Sequence, residues 1–431
     1  MAEYKKDSVN DIFSRINTLN DISEASKRED EALLEKRITR MTPTANGFEV
    51  VKDNYIAKST MEMKYSYNDI MVKPAVISTI EHRAECNPYD EDGNLPLFTA
   101  PMDTVVNIDN FNLFQEHGII PILPRTCKED DRIEFSRCGK WAAFSLQEFE
   151  KWFLGKCTPK DEKTPLRALI DIANGHISKL YELVRASKRV YGDSIKIMVG
   201  NIANPDTYRI CVESRVDYVR CSIGTGAGCL SSSNVAIHYP IASLISEIAA
   251  IKNELIGRGA DKDMLTKIIA DGGIRNYSDV IKSLALGADY VMVGSVFAKM
   301  LESAAPKNAN SDEWYSLPIT TRLGDLTDFT LGKGGWKAKY DGKEIFLGDI
   351  SATFYGMASR AGQIAMKGKK VHTSEGIERI LPVTYTIGSW VENMVDYLRS
   401  AMSYTNSRTL DDFRNSDVVL VSRNTCDSVN K

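Results

Sequence analysis

Eight short, nearly continuous apolar runs recur along the chain. They are Leu97–Pro101, Ile119–Leu123, Trp141–Leu146, Ala168–Ala173, Ile195–Asn201, Tyr218–Ile223, Lys267–Gly273 and Tyr290–Ser295. Unbroken apolarity of this kind is expected of parallel strands covered on both faces. Most successive runs start about two dozen residues apart, which is the length of a strand with its crossover helix. The intervals carry the helical period. Leu244, Ile248, Ile251 and Leu255 fall on one face, with Gly257 and Gly259 as stop signals. Ser278 is expected to cap a helix that carries Ile281, Leu284 and Ala285 and closes at Gly287. The pattern predicts an α/β fold of (β/α)8 TIM-barrel type, with an open doubly wound sheet as the alternative.

Three regions stand outside the repeat. Residues 1–60 are polar and mixed in charge and read as an N-terminal arm with a helix over Asp30–Met41. Residues 61–431 read as a single barrel catalytic domain. Its insertion after the eighth strand, residues 303–350, contains Lys337–Leu347, where a DG turn between alternating residues predicts a hairpin. Near the C-terminus, Trp390, Met394, Tyr397, Leu398 and Met402 are expected on one side of an amphipathic helix.

Composition narrows the class. The 431 residues carry 54 Lys+Arg against 58 Asp+Glu, a net charge of −4, so no basic stripe is available to neutralise phosphates and nucleic acid is not the expected partner. No apolar run approaches the roughly 18–20 residues of a membrane helix. The N-terminus has no apolar core of a secretory signal. Eight scattered cysteines without a CxxC pair suit reduced thiols in the cytoplasm rather than disulfides or a zinc site. The five histidines share no metal-ligand spacing and read as surface or locally bonded residues.

The polar residues cluster where a barrel needs them. Asp103-Thr104, Asp171–Gly175, Gly200-Asn201, Gly224–Cys229, Asp271–Gly273 and Gly294-Ser295 all fall at the C-terminal ends of the runs, where barrel active sites lie. A structural turn accounts for any one of them but poorly for six together. Glycines after the last two runs let backbone N–H groups approach a phosphate. Asp271 repels a phosphate but can accept two ribose hydroxyls, which suggests a nucleotide. Cys229 closes a glycine-rich loop above the barrel mouth and is a candidate nucleophile, whereas Cys221 within the sixth strand reads as core.

These residues resemble the IMP dehydrogenase/GMP reductase family. The resemblance runs from about Tyr67 to Phe413. It is carried by YNDIMVKP (67–74), APMDTV (100–105), DIANG (171–175), IGTGAGC (223–229), IADGGIR (269–275), ADYVMVGS (288–295), FYGMAS (354–359), EGIE (375–378) and LRSAMSYTNSRTLDDF (398–413). It implies a barrel assembled as a homotetramer that binds a purine nucleoside monophosphate. The family nucleophile falls on Cys229, the hydroxyl two residues on is Ser231, and the proton-transfer glutamate falls on Glu375. Substrate contacts fall on Asp271, Gly272, Gly273, Gly294, Ser295, Tyr355, Gly356, Met357 and Ser359. Cofactor contacts fall on Met102, Asp103, Asp171, Ala173, Asn174 and Ser400, the last reaching from a neighbouring subunit; His372 would lie near the cofactor pyrophosphate. A monovalent cation, K+, would be held by the carbonyls of Gly224, Gly226 and Cys229.

The resemblance also separates two reactions. The dehydrogenase oxidises IMP with NAD and needs a long flap with an Arg-Tyr pair; here residues 360–374, fifteen in all, separate Ser359 from Glu375 and contain no such pair. Residues 124–140 leave no room for the CBS modules that most dehydrogenases insert after the second strand. DIANG and FYGM are closer to the reductase pattern, which implies reductive deamination of GMP with NADPH. APMDTV, IADGGIR and EGIE are closer to the dehydrogenase, GTGAGC departs from both, and Pro124-Arg125 stands where a histidine is usual. The alternatives are therefore an IMP dehydrogenase without the flap, a divergent relative acting on another purine nucleotide and, in another class, a nucleotide-binding barrel without catalysis.

Overall fold

The computed structural model describes residues 42–44, 47–49, 62–226, 231–318, 320–356, 359–367 and 376–422. The chain divides into two compact units, Met1–Met63 and Lys64–Lys431. In the first, Thr42–Thr44 pairs antiparallel with Gly47–Glu49. The helix expected over Asp30–Met41 lies outside the described residues.

In the second unit the eight apolar runs are eight strands. These are β1 (Leu97–Thr99), β2 (Ile122–Leu123), β3 (Trp141–Phe144), β4 (Leu166–Asp171), β5 (Ile195–Ile202), β6 (Tyr218–Cys221), β7 (Lys267–Asp271) and β8 (Tyr290–Val293). All pairings among them are parallel, in the order β1-β8-β7-β6-β5-β4-β3-β2. A parallel bridge between Phe98 and Ile120 closes the sheet on itself. The fold is a (β/α)8 barrel, and the open-sheet alternative falls.

The helices between strands are α1 (Ile108–Glu116), α2 (Glu129–Arg137), α3 (Leu146–Trp152), α4 (Ser178–Tyr191), α5 (Thr207–Glu213), α6 (Ile241–Gly257) and α7 (Tyr277–Ala285). A last long helix, α8 (Ile387–Tyr404), packs against α7 through Tyr277 and Trp390, whose rings stack with centroids 5.1 Å apart. Leu244 and Ile248 of α6 are fully buried, as their spacing predicted. The cap of α7 differs from expectation. Asn276, not Ser278, accepts the Asp279 N–H at 3.0 Å, because the chain is still extended at Asn276 and already helical at Ser278. On α8, Trp390, Met394, Leu398 and Met402 are buried, but Tyr397 is half exposed and meets only the edge of the helix interface at the Tyr277 ring.

Strand residues alternate between two cores. Inside the barrel, Phe98, Trp141, Tyr218 and Tyr290 pack edge-on in one aromatic layer, with Ile122, Leu169, Met198, Ile269 and Met292 around them. Outside, Val219, Cys221, Ile268 and Val291 pack against the helices. The period of two along β6 therefore points Tyr218 and Arg220 inward, and Val219 and Cys221 outward.

The expected hairpin after β8 belongs to an antiparallel sheet of five strands. They are β9 (Lys307–Asn310), β10 (Thr327–Gly332), β11 (Gly335–Tyr340), β12 (Lys343–Tyr355) and β13 (Glu378–Pro382). Asp341 and Gly342 both take positive φ, 47° and 77°, as a two-residue turn matched to strand twist requires. Trp336, Ala338, Leu347 and Ile350 form a separate small core. The thirteen-residue β12 runs from that hairpin to the barrel mouth and ends at Tyr355. Among the described residues no helix is long and apolar enough to cross a membrane.

Candidate active site

The C-terminal ends of the barrel strands open into one cavity of about 460 Å³, within the size range of small-molecule sites. Its wall brings together many of the residues that the sequence singled out. Asp271, Gly272 and Gly273 follow β7, and Gly294 and Ser295 follow β8. Asp171 and Ala173 follow β4, Met102 follows β1, and Gly224 and Gly226 follow β6. Gly356 enters from the end of β12.

The floor is an ionic network. Arg220 Nη1 donates to Asp171 Oδ1 at 2.6 Å. On its other side Nε and Nη2 lie 3.0 and 2.9 Å from Asp271 Oδ2. Asn201 Nδ2 donates to the same oxygen at 2.7 Å. The Arg220 side chain is only 9% exposed. Burial alone would lower its pKa, but Asp271 and Asp171 raise it further above its ordinary value. Gly200 makes room for this side chain: a Cβ there would stand 2.5 Å from Arg220 Cβ and 2.8 Å from its carbonyl oxygen. Asn201 reaches Asp271 because the β5–β6 register shifts between Gly200 and Ile202, and such a bulge re-aims a side chain.

The glycine-rich loop after β6 is tied at its base. The Ser222 and Thr225 hydroxyls bond each other, and Ser232 Oγ donates to the Gly224 carbonyl at 3.1 Å. Gly272 has φ +100°, and a Cβ on it would stand 2.5 Å from Thr225 Oγ1, so only glycine fits without displacing that hydroxyl. Cys229, Met357, His372 and Glu375 lie outside the described residues. Ser231 opens the short helix Ser231–Asn234, but its side chain is likewise undescribed.

Other expected contacts have local work. Tyr355 donates to Asp103 Oδ2 at 3.0 Å, and neither residue lines the cavity. Burial raises the Asp103 carboxyl above its usual range, although the Tyr355 hydrogen bond opposes the shift. Asn174 accepts the His176 N–H at 3.1 Å within its own turn. Ser359 is buried and accepts the Gly362 N–H at 3.1 Å, capping Arg360–Lys367. Ser400 lies on α8, where its hydroxyl donates to the Asp396 carbonyl at 2.8 Å and accepts from Arg83 at 3.3 Å. Cys221 is fully buried, and burial drives its thiol well above its ordinary pKa, as suits a core residue. Among the described residues no three His, Cys, Asp or Glu side chains gather as metal ligands.

Several cavity residues escaped the sequence reading. Arg220 was absorbed into an apolar run, although a charged residue in phase with inward Tyr218 is a signal. Arg379 comes from β13, and Thr225 sits in the altered glycine loop. Arg125, where a histidine is usual, donates to the Asp171 carbonyl at 3.3 Å.

Carboxylates bridged by one arginine and glycines at two adjacent strand ends define a polar cavity at the C-terminal face of a barrel. Residues 167–316 match the family model described as the IMP dehydrogenase / GMP reductase domain. The chain is 30% identical over 249 residues to a GMP reductase of Staphylococcus epidermidis, covering 56% of this chain and 72% of that protein. It is 26% identical over 371 residues to a GMP reductase of Bacillus licheniformis, covering 84% of this chain and 97% of the relative. A Bacillus subtilis GMP reductase is 25% identical over 370 residues, with 84% and 97% covered. The chain belongs to the IMP dehydrogenase/GMP reductase family and is an oxidoreductase.

Proposed function

We propose that this enzyme converts GMP to IMP and ammonia with NADPH as reductant, through a covalent bond between Cys229 and C2 of the purine. The observation that carries this reading is the meeting of Asp271, Gly273, Gly294 and Ser295 in one cavity, with Asp171 joined to Asp271 through Arg220. Three relatives named GMP reductase support the same substrate. The fifteen-residue span between Ser359 and Glu375 favours the reductase over IMP oxidation.

In this reading the backbone N–H groups of Gly273, Gly294 and Ser295 hold the phosphate, and Asp271 accepts the ribose hydroxyls. Met357 and Gly356 present backbone groups to the base. The Cys229 thiolate adds to C2, and Glu375 with Ser231 protonates the amino group, which leaves as ammonia. Asp171, Ala173 and Met102 would hold the nicotinamide of NADPH, which when bound would supply the hydride that C2 needs as the Cys229 thiolate departs. The balance is GMP, NADPH and two protons to IMP, ammonium and NADP+, a two-electron reduction at C2. The lining is chemically compatible with a nicotinamide, because the same cavity wall holds the polar Asp171–Arg220 pair and the apolar Met102 and Ala173. A K+ ion fits the carbonyls of Gly224, Gly226 and Cys229 in chemistry, with one Gly224 lone pair already given to Ser232. The same reading carries a homotetramer in the cytoplasm, with residues 1–60 as an arm on the catalytic domain.

Absorbance at 340 nm tests it. Decay with GMP and NADPH, with ammonia formed, is expected, and Cys229→Ala and Glu375→Gln should abolish it. A rise with IMP and NAD would overturn the reductase in favour of the dehydrogenase. Nucleotide binding without turnover on either pair would overturn both in favour of a non-catalytic barrel.

A further inference from the structure

Arg220 does more than neutralise two carboxylates. It is one planar guanidinium that holds Asp271 by one edge and Asp171 by the other, at 2.6 to 3.0 Å. The three side chains are 9%, 13% and 20% exposed, so little water stands between their charges. Asp271 and Asp171 end β7 and β4, and Arg220 rises from β6 between them. They face the two halves of the proposed site, the nucleotide ribose and the nicotinamide.

We propose that Arg220 is a positioning residue that couples the two half-sites, so that nucleotide and nicotinamide cofactor bind cooperatively. The inference rests on the function proposed above.

The physical ground is the rigidity of the fork. A guanidinium cannot turn one edge without turning the other. The trio carries one positive and two negative charges, a net −1, so the carboxylates compete for a single cation. When ribose hydroxyls donate to Asp271, they satisfy part of its charge. Arg220 is then attracted more strongly to Asp171 and fixes it in place. The second ligand meets a carboxylate already ordered by the first, and binds more tightly. Linkage requires the effect to be the same in both directions. Asn201 strengthens the arrangement, because its amide donates at 2.7 Å to the same Asp271 oxygen that Arg220 holds. Lysine in place of Arg220 keeps the charge but is a single point, able to reach one carboxylate at a time.

Titration calorimetry with IMP and NADPH tests the coupling. The pair cannot react, because neither member accepts a hydride. The dissociation constant of each is measured alone and in the presence of the other, for the wild type and Arg220→Lys. In the wild type each ligand should tighten the other by about fivefold or more, by the same factor in both directions. In Arg220→Lys the factor should fall towards one, with single-ligand binding and the circular dichroism spectrum retained. Independent binding in the wild type overturns the coupling and leaves the proposed function standing. An undiminished factor in Arg220→Lys also overturns it. Failure of the wild type to bind IMP or GMP at all overturns the proposed function, and the coupling with it. Arg220→Gln, whose amide can donate to only one carboxylate and which leaves both aspartates in place, is the second variant should lysine fail to fold; it too should bind the ligands independently.

Discussion

The Tyr355 hydroxyl, at the end of the inserted sheet, is 3.0 Å from Asp103 Oδ2, at the end of the first barrel strand. Among the described residues no hydrogen-bond partner reaches the other Asp103 oxygen or the neighbouring Thr104 hydroxyl, both buried. Among the described residues Tyr355 is thus the one side chain that donates to the Asp103 carboxyl, and it ties the Met102 segment to the inserted sheet.

Tyr355→Phe should leave the Asp103 carboxyl with no side-chain donor. A loss of about 1–3 kcal/mol in unfolding free energy is expected at pH 7, together with a raised KM for the nucleotide. Urea denaturation checks the first, and a variant as stable as the wild type would sink the idea.

The Arg132–Glu148 pair, at the C-terminal end of β3, should set part of the acid limit. Burial would raise the Glu148 carboxyl, but Arg132, in a two-point contact at 2.7 and 3.2 Å, and the Ser145 N–H bring it from 4.5 down to about 2. A lowered carboxylate contributes stability that is present above pH 4.5 and lost as pH falls towards 2. The contribution is on the order of 3 kcal/mol. Glu148→Gln should be less stable at pH 7 and show a flatter stability profile between pH 4.5 and 2.

Gly272→Ala should combine two injuries, a left-handed φ of +100° and a contact with Thr225. Backbone strain of about 1–3 kcal/mol is expected, with nucleotide affinity reduced about tenfold or more. Adding Thr225→Ala should recover part of the affinity but not the strain. Equal affinity for Gly272→Ala and wild type would rule out a close approach of ligand to this turn.

Trp336→Phe should loosen the inserted sheet. The indole Nε1 donates to the Val383 carbonyl at 2.9 Å inside the small core, and phenylalanine leaves that oxygen without its donor. A loss of about 1–3 kcal/mol follows. Deuterium exchange should rise over residues 307–355 and 378–383 and stay unchanged in β4 to β7.

The barrel was legible because each of its strands is covered on both faces, which leaves an apolar run at every one. The glycine turns at β7 and β8 were legible for a similar reason, since few other residues tolerate those dihedrals. Arg220 was hidden by the same logic, because YVRC passes as apolar unless the inward phase of Tyr218 is followed to the next inward position. The aim of Asn201 depends on a register shift that no residue type announces. Tyr355 and Asp103 lie 252 positions apart and meet only through the length of β12. Asn174 and Ser359 stand in matching motifs, yet their polar atoms serve a local turn and a helix cap, which spacing alone does not distinguish from ligand contact.

The closure of the barrel between β1 and β2 is the thinnest join in the ring. It rests on the Phe98–Ile120 bridge, and beyond it the Ile122 N–H finds no backbone carbonyl but the Thr99 hydroxyl, at 3.0 Å. One threonine side chain stands in for a rung of main chain there. The ring therefore has a natural place to be cut: new termini on that side would sever fewer ladder bonds than at any of the fully zipped strand pairs, and the order of the remaining strands would survive as an uninterrupted sheet.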